Sequence, residues 1–263
     1  MNGRTVIGER KMGKIRVVFL GTNGWYTTGT GNTLCVMIET ADYVILMDAG
    51  DGIHKLDRYI DVKKKPVYIF LSHFHLDHIS GFHIFNKYRF GKGVTICCYR
   101  GGAAILDHIV CQPYTMAIKD LPFSVKVVEM DEGEQAGFPF GLKCGELKHS
   151  SRCFGYRFDL HGKVISLCTD SGLCDTAVDL AKGADVLMTE CALKPGEVNT
   201  VWPHMNPQDA ARLAKDSGAR KLFLVHFDAE NYRTMEERQT AEDEARKIFP
   251  AVCAARDDME IEI

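Results

Sequence analysis

The run Tyr68-Ile69-Phe70-Leu71-Ser72-His73-Phe74-His75-Leu76-Asp77-His78 decides how this chain is read. It opens on apolar and aromatic residues of the kind that fill a buried strand, then delivers four metal-capable side chains within six residues. In extended chain His73 and His75 point the same way by the period-two rule, while Asp77 and His78 turn toward a neighbouring position. Imidazoles with a carboxylate are the donors zinc takes at catalytic sites, where one position stays open to water; a thiolate cage would signal a structural site. Incidental loop histidines explain any one of these residues, but not three His and one Asp at this spacing. The geometry suits two metal ions a few ångströms apart.

One loop cannot complete two coordination shells, so the reading demands further donors where later strands meet loops. The sequence supplies His149 after the run Gly141 to Leu147, Asp170 in Cys168-Thr169-Asp170-Ser171-Gly172, and His226 after Leu222-Phe223-Leu224-Val225. Of the other histidines, His54, His83, His108 and His161 do not share this placement and read as surface or core residues.

Strand-like runs recur at Ile15 to Leu20, Thr33 to Ile38, Tyr43 to Met47, Val67 to Leu71, Val94 to Tyr99, Val125 to Glu129, Phe154 to Leu160, Lys163 to Leu167, Val186 to Thr189 and Leu222 to Val225. Helical signals come late: Thr176 to Lys182 closed by Gly183, a helix opened by Asn206-Pro207 and closed near Gly218, and Met235 to Phe249. This order predicts an α/β fold with strands packed on strands and helices outside, as one domain over residues 1–263 with a flexible tail at 1–14.

At 46% hydrophobic and 25% charged, with a net charge of -3, the chain has ordinary globular composition and no electrostatic footprint for a polyanion. Its ten cysteines are scattered, without C-x-x-C, and read as reduced thiols of a cytoplasmic protein. The N-terminus lacks an apolar core, and no stretch reaches the roughly 18–20 apolar residues of a membrane span. The expectation is therefore neither export nor insertion.

With these positions placed, the chain resembles the metallo-β-lactamase superfamily along nearly its whole length. The likeness runs from Leu20-Gly21-Thr22 and Met47-Asp48-Ala49-Gly50 through His73-x-His75-x-Asp77-His78, His149 and Asp170 to His226. It implies an αββα sandwich of two mixed sheets, with two divalent metal ions at one sheet edge, zinc first and manganese or iron as alternatives. It further implies that His73, His75 and His149 hold one ion, that Asp77, His78 and His226 hold the other, and that Asp170 bridges them. Asp48 would stand behind the ligands and orient a ring, or else cap the turn at Gly50-Asp51-Gly52.

Within the superfamily the likeness is to the branch that cleaves phosphodiesters, which contains ribonuclease Z and the cyclic-phosphate diesterases of phosphonate metabolism. Phe154-Gly155-Tyr156-Arg157, Thr189-Glu190-Cys191-Ala192 and Trp202-Pro203-His204-Met205 carry it. A diesterase needs a hydroxide nucleophile, charge neutralisation at phosphorus and a proton for the departing alkoxide; two metals serve the first two needs. Asp77, Glu190 and His204 are the candidate catalytic residues, with His204 as proton donor, its pKa raised by Glu190, or in the bland reading a loop histidine before the helix at Pro207. Arg157 either meets phosphate or covers the sheet.

No basic or Gly/Pro-rich insertion stands where ribonuclease Z carries its tRNA-gripping arm. Gln112-Pro113-Tyr114-Thr115-Met116 is expected to form a lid that supplies Tyr114 or Met116 to a pocket wall. A small or cyclic phosphodiester is therefore the expected substrate, with nucleic acid in reserve, no membrane partner, and a homodimer by family habit only. The alternatives are hydrolysis of a carboxyl ester, thioester or lactone, and an RNA endonuclease of ribonuclease Z type.

Overall fold

The computed structural model of the protein describes residues 13–263. Apart from its last two residues, the tail expected over residues 1–14 lies outside the described residues. In chain order the strands and helices are β1 (Arg16–Gly21), β2 (Asn23–Gly24), β3 (Cys35–Glu39), β4 (Val44–Met47), α1 (Leu56–Tyr59), β5 (Val67–Phe70), α2 (Leu76–Ile79), β6 (Val94–Tyr99), α3 (Gly102–Ile109) and β7 (Val125–Met130). They continue with β8 (Gly133–Gln135), β9 (Gly141–Glu146), β10 (Phe154–Leu160), β11 (Lys163–Cys168), α4 (Asp175–Ala181), β12 (Val186–Glu190), α5 (Pro207–Asp216), β13 (Leu222–Val225), β14 (Phe227–Asp228), α6 (Met235–Arg246), β15 (Val252–Ala254) and β16 (Met259–Glu262).

The strands form two seven-stranded mixed sheets, ordered β16-β1-β3-β4-β5-β6-β7 and β15-β13-β12-β11-β10-β9-β8. Each sheet is antiparallel on one side and parallel on the other. In the first, β4, β5, β6 and β7 run parallel; in the second, β11, β12, β13 and β15 do. The two sheets thus repeat one plan that left no repeat readable in the sequence.

Alternation along the strands builds the layers. Val17 and Phe19, Val36 and Ile38, and Ile45 and Met47 face the second sheet, where they meet Tyr156, Phe158 and Phe223. Their neighbours Val18, Leu20, Cys35, Met37, Val44 and Leu46 face outward onto Ile53, Leu56, Phe82, Phe85 and Leu106. The second sheet's outer face takes Ala177 and Leu180 of α4, Ala210 and Leu213 of α5, and Ala241 and Ala245 of α6. Each fully buried large apolar side chain contributes about 1.5–3 kcal/mol, so strands apolar on both faces have one stable place, between sheet and helices. The result is the expected αββα layering of two mixed sheets flanked by helices.

The helix ends follow local chemistry. Asn206 Oδ1 accepts from the Asp209 backbone N–H at 2.9 Å with Pro207 in the first turn. Thr234 and Glu237 cap α6 reciprocally. Gly183 and Gly218 sit just past α4 and α5 with φ of 61° and 67°. The sequence reading missed α1, α2 and α3, the first two only four residues long and so too short to show a period. It also missed the edge strand β16, whose Glu260 and Glu262 pair with Arg16 and Lys14. Among the described residues no helix is long and apolar enough to cross a membrane.

Candidate metal centre

The candidate donors converge because they stand at the carboxyl ends of parallel strands, where the chain leaves the sheet and ligand crevices form. Asp48 follows β4, Ser72 and His73 follow β5 closely, Glu190 ends β12 and His226 follows β13. Asp170 stands just beyond β11. Asp48, Asp170 and His226 turn off their strands with φ of 59°, 51° and 49°. Asp and His enter this left-handed region more readily than most residues, at a cost of order 1–3 kcal/mol, and such residues concentrate at functional sites. His75 then opens α2, whose single turn carries Asp77 and His78.

Hydrogen bonds between the sheets hold this edge together. Tyr156 of β10 donates its hydroxyl to the Leu71 carbonyl at 2.6 Å, and the Phe154 N–H donates to the Ser72 carbonyl at 2.8 Å. Buried Asp48 accepts from the Ser72 N–H at 2.7 Å and from His78 Nδ1 at 2.8 Å. Asp48 thus stands behind a ring rather than capping the Gly50 turn, and it leaves His78 Nε2 turned toward Asp77 and Asp170.

Five overlapping groups of three donor atoms result, and two of them match the implied ligand sets. One nitrogen each of His73, His75 and His149 lie within 4.8 Å of one another, and so do donor atoms of Asp77, His78 and His226. Asp170 lies between the groups, its oxygens 3.9 Å from His73 Nε2, 3.2 Å from His78 Nε2 and 3.4 Å from His226 Nε2. His78 Nε2 and His226 Nε2 are 3.1 Å apart, and Asp77 Oδ2 is 3.4 and 3.2 Å from them. Donors at about 2.0–2.1 Å from a tetrahedral ion stand roughly 3.3 Å from each other, so the separations among Asp77, His78, His226 and Asp170 match the edges of a zinc-sized shell. His73 Nε2 and His149 Nε2 are buried with no hydrogen-bond partner among the described residues. That is costly for an imidazole unless the lone pair serves a ligand. The donors therefore fit a divalent metal pair.

The electrostatics agree. Burial lowers the pKa of His73, His75 and His149, which keeps them neutral and able to donate. For His78 and His226 burial acts the same way, but the charges of Asp170 and Asp77 outweigh it and raise both. Asp170 and Asp77 are held well below the usual carboxylate range against their burial by the facing histidines. Carboxylates that draw this much positive charge make a strong cation site.

Beside the donors, buried Glu190 accepts from His204 Nδ1 at 2.9 Å through both oxygens, and from the backbone N–H groups of Ser171 and Met205. Burial alone would lower the pKa of His204, but the Glu190 charge and hydrogen bond raise it to about 9. A nitrogen of His204 lies within 4.8 Å of donor atoms of His149 and Asp170.

His75, Asp77, Asp170, His204 and His226 floor a cavity of about 820 Å³ whose walls are Trp25, Phe74, Leu76, Ala192, Leu193, Asn199, Trp202, Asp228 and Asn231. The expected lid does not form its wall. Tyr114 and Met116 are exposed and absent from the lining. Their segment instead packs back on the first sheet's helical layer, with Thr115 Oγ1 bonded to the His83 carbonyl.

Arg157 covers the sheet, its guanidinium donating to the Leu180 and Lys182 carbonyls at the end of α4. His54 and His83 bond backbone carbonyls of their own turns, all ten cysteines are free thiols, and Cys168 is buried. Two contributors escaped the sequence reading. Ser72 links Asp48 to the histidines, and Trp25 donates its N–H to Asp77 Oδ2 at 2.7 Å. The only sequence signal for Trp25 is a large apolar residue directly after the run Leu20-Gly21-Thr22-Asn23-Gly24.

Comparison with known proteins places this geometry. A family model described as a beta-lactamase superfamily domain matches residues 43–227. The probable metallo-hydrolase YhfI of Bacillus subtilis is 26% identical over 219 residues, covering 81% of this chain and 87% of that protein. Its crystal structure superposes with a TM-score of 0.80 at 21% identity, over 95% of this chain and all of that one. Ribonuclease Z of Thermosynechococcus vestitus is 26% identical, covering 92% of this chain and 74% of that protein. The crystal structure of a diphosphatase from the PhnP family superposes with a TM-score of 0.71 at 17% identity, over 95% of this chain and 98% of that one. With a matching domain model, relatives that are hydrolases and a donor cluster fit for divalent metal, the chain belongs to the beta-lactamase superfamily as a metal-dependent hydrolase.

Proposed function

We propose that this hydrolase is a dinuclear phosphodiesterase acting on a small or cyclic phosphodiester. In this reading His73, His75 and His149 hold one ion, Asp77, His78 and His226 hold the other, and Asp170 bridges them, with zinc as the ion the donor set favours. When bound, the metal pair supplies Lewis acidity, both to water and to the phosphoryl oxygens.

The observation that carries the proposal is the Glu190–His204 pair, in which buried Glu190 holds a histidine that lines the cavity. Glu190 fixes the proton on Nδ1 and orients the ring, while the raised pKa of about 9 keeps His204 protonated at neutral pH. A departing alkoxide needs such a proton, which His204 donates from its other nitrogen before recovering it from solvent. Hydrolysis of a carboxyl ester or lactone asks less of a dedicated acid.

The cavity favours a small substrate over a strand of RNA, although ribonuclease Z is among the relatives. Its lining has no lysine or arginine among the described residues that form it, and the positive charge there comes from His204 and from the ions that the donor residues would hold. Polynucleotide binding draws most of its affinity from cationic side chains on phosphates.

The test is hydrolysis of bis(p-nitrophenyl) phosphate by metal-analysed protein beside a p-nitrophenyl ester and a lactone, with His204→Ala as control. Diesterase activity that needs His204 supports the proposal. Turnover of the ester or lactone alone replaces it with carboxyl-ester chemistry at the same metals.

A further inference from the structure

The chain has two tryptophans, Trp25 and Trp202. Both line the same cavity, and both keep their rings in solvent, at 64% and 48% exposure. Indoles carry one of the largest apolar surfaces of any side chain, and exposed apolar surface gathered beside a cavity marks a place where something binds.

The two residues stand beside different donor groups of the site. Trp202 stacks on His75 with centroids 5.7 Å apart and planes 18° from parallel, and meets His149 edge-on at 6.0 Å. Trp25 stands by the other donor group. Its N–H is held by Asp77, and a Cβ on the preceding Gly24 would lie 2.4 Å from the His226 ring. Its φ of 69° is a left-handed conformation that a bulky residue adopts only when its surroundings impose it. The backbone is clamped while the indole stays uncovered.

Polar groups complete the wall. Asn199 Oδ1 accepts from the Val201 and Trp202 N–H groups, and Asn231 Nδ2 donates to the Ala192 carbonyl. Each amide so commits one end to backbone. Asn199 Nδ2, a donor, and Asn231 Oδ1, an acceptor, have no protein partner among the described residues. Aromatic faces with a donor and an acceptor beside them suit a flat ring whose edge also hydrogen-bonds.

We propose that this wall is a subsite for a heteroaromatic ring of the nucleobase class, carried by the substrate's phosphodiester. Trp25 and Trp202 are its stacking surfaces, and Asn199 and Asn231 read its edge. The proposal takes the phosphodiester from the reading above, whereas the ring rests on the cavity walls alone. A cavity of about 820 Å³ accommodates a nucleotide-sized ligand.

Because the chain has only these two tryptophans, indole emission reports this wall and nothing else. Adenosine and ribose 5-phosphate are titrated separately into the zinc-loaded protein, with excitation on the red edge of the indole band, and the titrations are repeated on Trp25→Leu, Trp202→Leu and Trp202→Phe. Saturable quenching by adenosine and none by ribose 5-phosphate is expected. Each Leu variant should bind roughly tenfold more weakly, the scale of one base–aromatic stack, and Trp202→Phe should recover part of the loss.

Equal responses to the two ligands overturn the subsite even if a variant fails to fold, since the wild-type protein decides. So does emission that follows protein concentration and ignores both ligands, which would mean that the indoles meet a second copy. Turnover separates this proposal from the one it rests on. Adenosine quenching in a protein that cleaves only carboxyl esters keeps the ring site and removes the phosphodiester. Diester cleavage without quenching does the reverse.

Discussion

At the scale of single residues, this site turns on carboxylates that tell otherwise similar histidines apart. Asp48 and Glu190 each hold one ring nitrogen, of His78 and His204; the other nitrogen of His78 faces Asp77, Asp170 and His226, whereas His204 lines the cavity beside His149 and Asp170. Replacing His204 with Ala is expected to lower kcat by about 10²–10⁴-fold while metal content, read by elemental analysis, stays at the wild-type level. The pH dependence has a definite sign. A raised pKa keeps the acid protonated as pH rises, so the alkaline limb of kcat should fall near 9. Glu190→Gln removes the charge responsible and should move that limb to lower pH. An unmoved limb would assign it to another group. Asp170→Asn, which removes the carboxylate's whole negative charge, should leave protein with less than its full metal complement after dialysis. The donor residues were legible because their types and spacing are chemical facts of the chain. Ser72 and Trp25 were not, since a serine hydroxyl and a backbone N–H become informative only beside their partners.

At the scale of elements, short segments are positioned by others distant in sequence. The loop around β2 is tied down by Arg238 of α6, buried over the Phe227 ring at 4.6 Å and bonded to Thr22, Asn23 and Thr30. Arg238→Met should cost about 2–4 kcal/mol in urea unfolding by leaving those oxygens unpaired. Beside it, Gly24→Ala would push the His226 ring from its place, and metal affinity should fall about 10–100-fold, the scale of losing a ligand's support. Competition with a chromophoric chelator measures this, and unchanged affinity would show that the loop yields instead. The long strands and capped helices could be read from alternation and from Asn206-Pro207. The four-residue α2 could not, because one turn has no period, although it is the turn that aims Asp77 and His78.

At the scale of the molecule, the donor cluster spans the two sheets. Asp77, His73 and His78 come from the first; His149, Asp170 and His226 come from the second. Metal binding thereby cross-links the sandwich. Chelation should lower Tm by on the order of 10 °C, from about 4 kcal/mol of binding linkage spread over a chain of this size. Calorimetry before and after metal removal checks this. A cavity lining without lysine or arginine among the described residues makes a second expectation. kcat/KM for a small diester should be nearly independent of salt, whereas RNA cleavage would weaken by about 0.7 log unit per log unit of salt for each phosphate contacted.

Sequence alone determined the layered α/β fold and named the metal-capable residues that converge at its edge, because burial on both faces of a strand and donor chemistry are written in residue type and spacing. Tertiary structure decided the rest. It placed Asp48 behind His78, seated His204 on Glu190, sent the 112–116 segment away from the cavity and gave the wall to two indoles 177 positions apart in the chain. Those outcomes depend on which strand ends share an edge of the sandwich, and no local pattern along the chain encodes that adjacency.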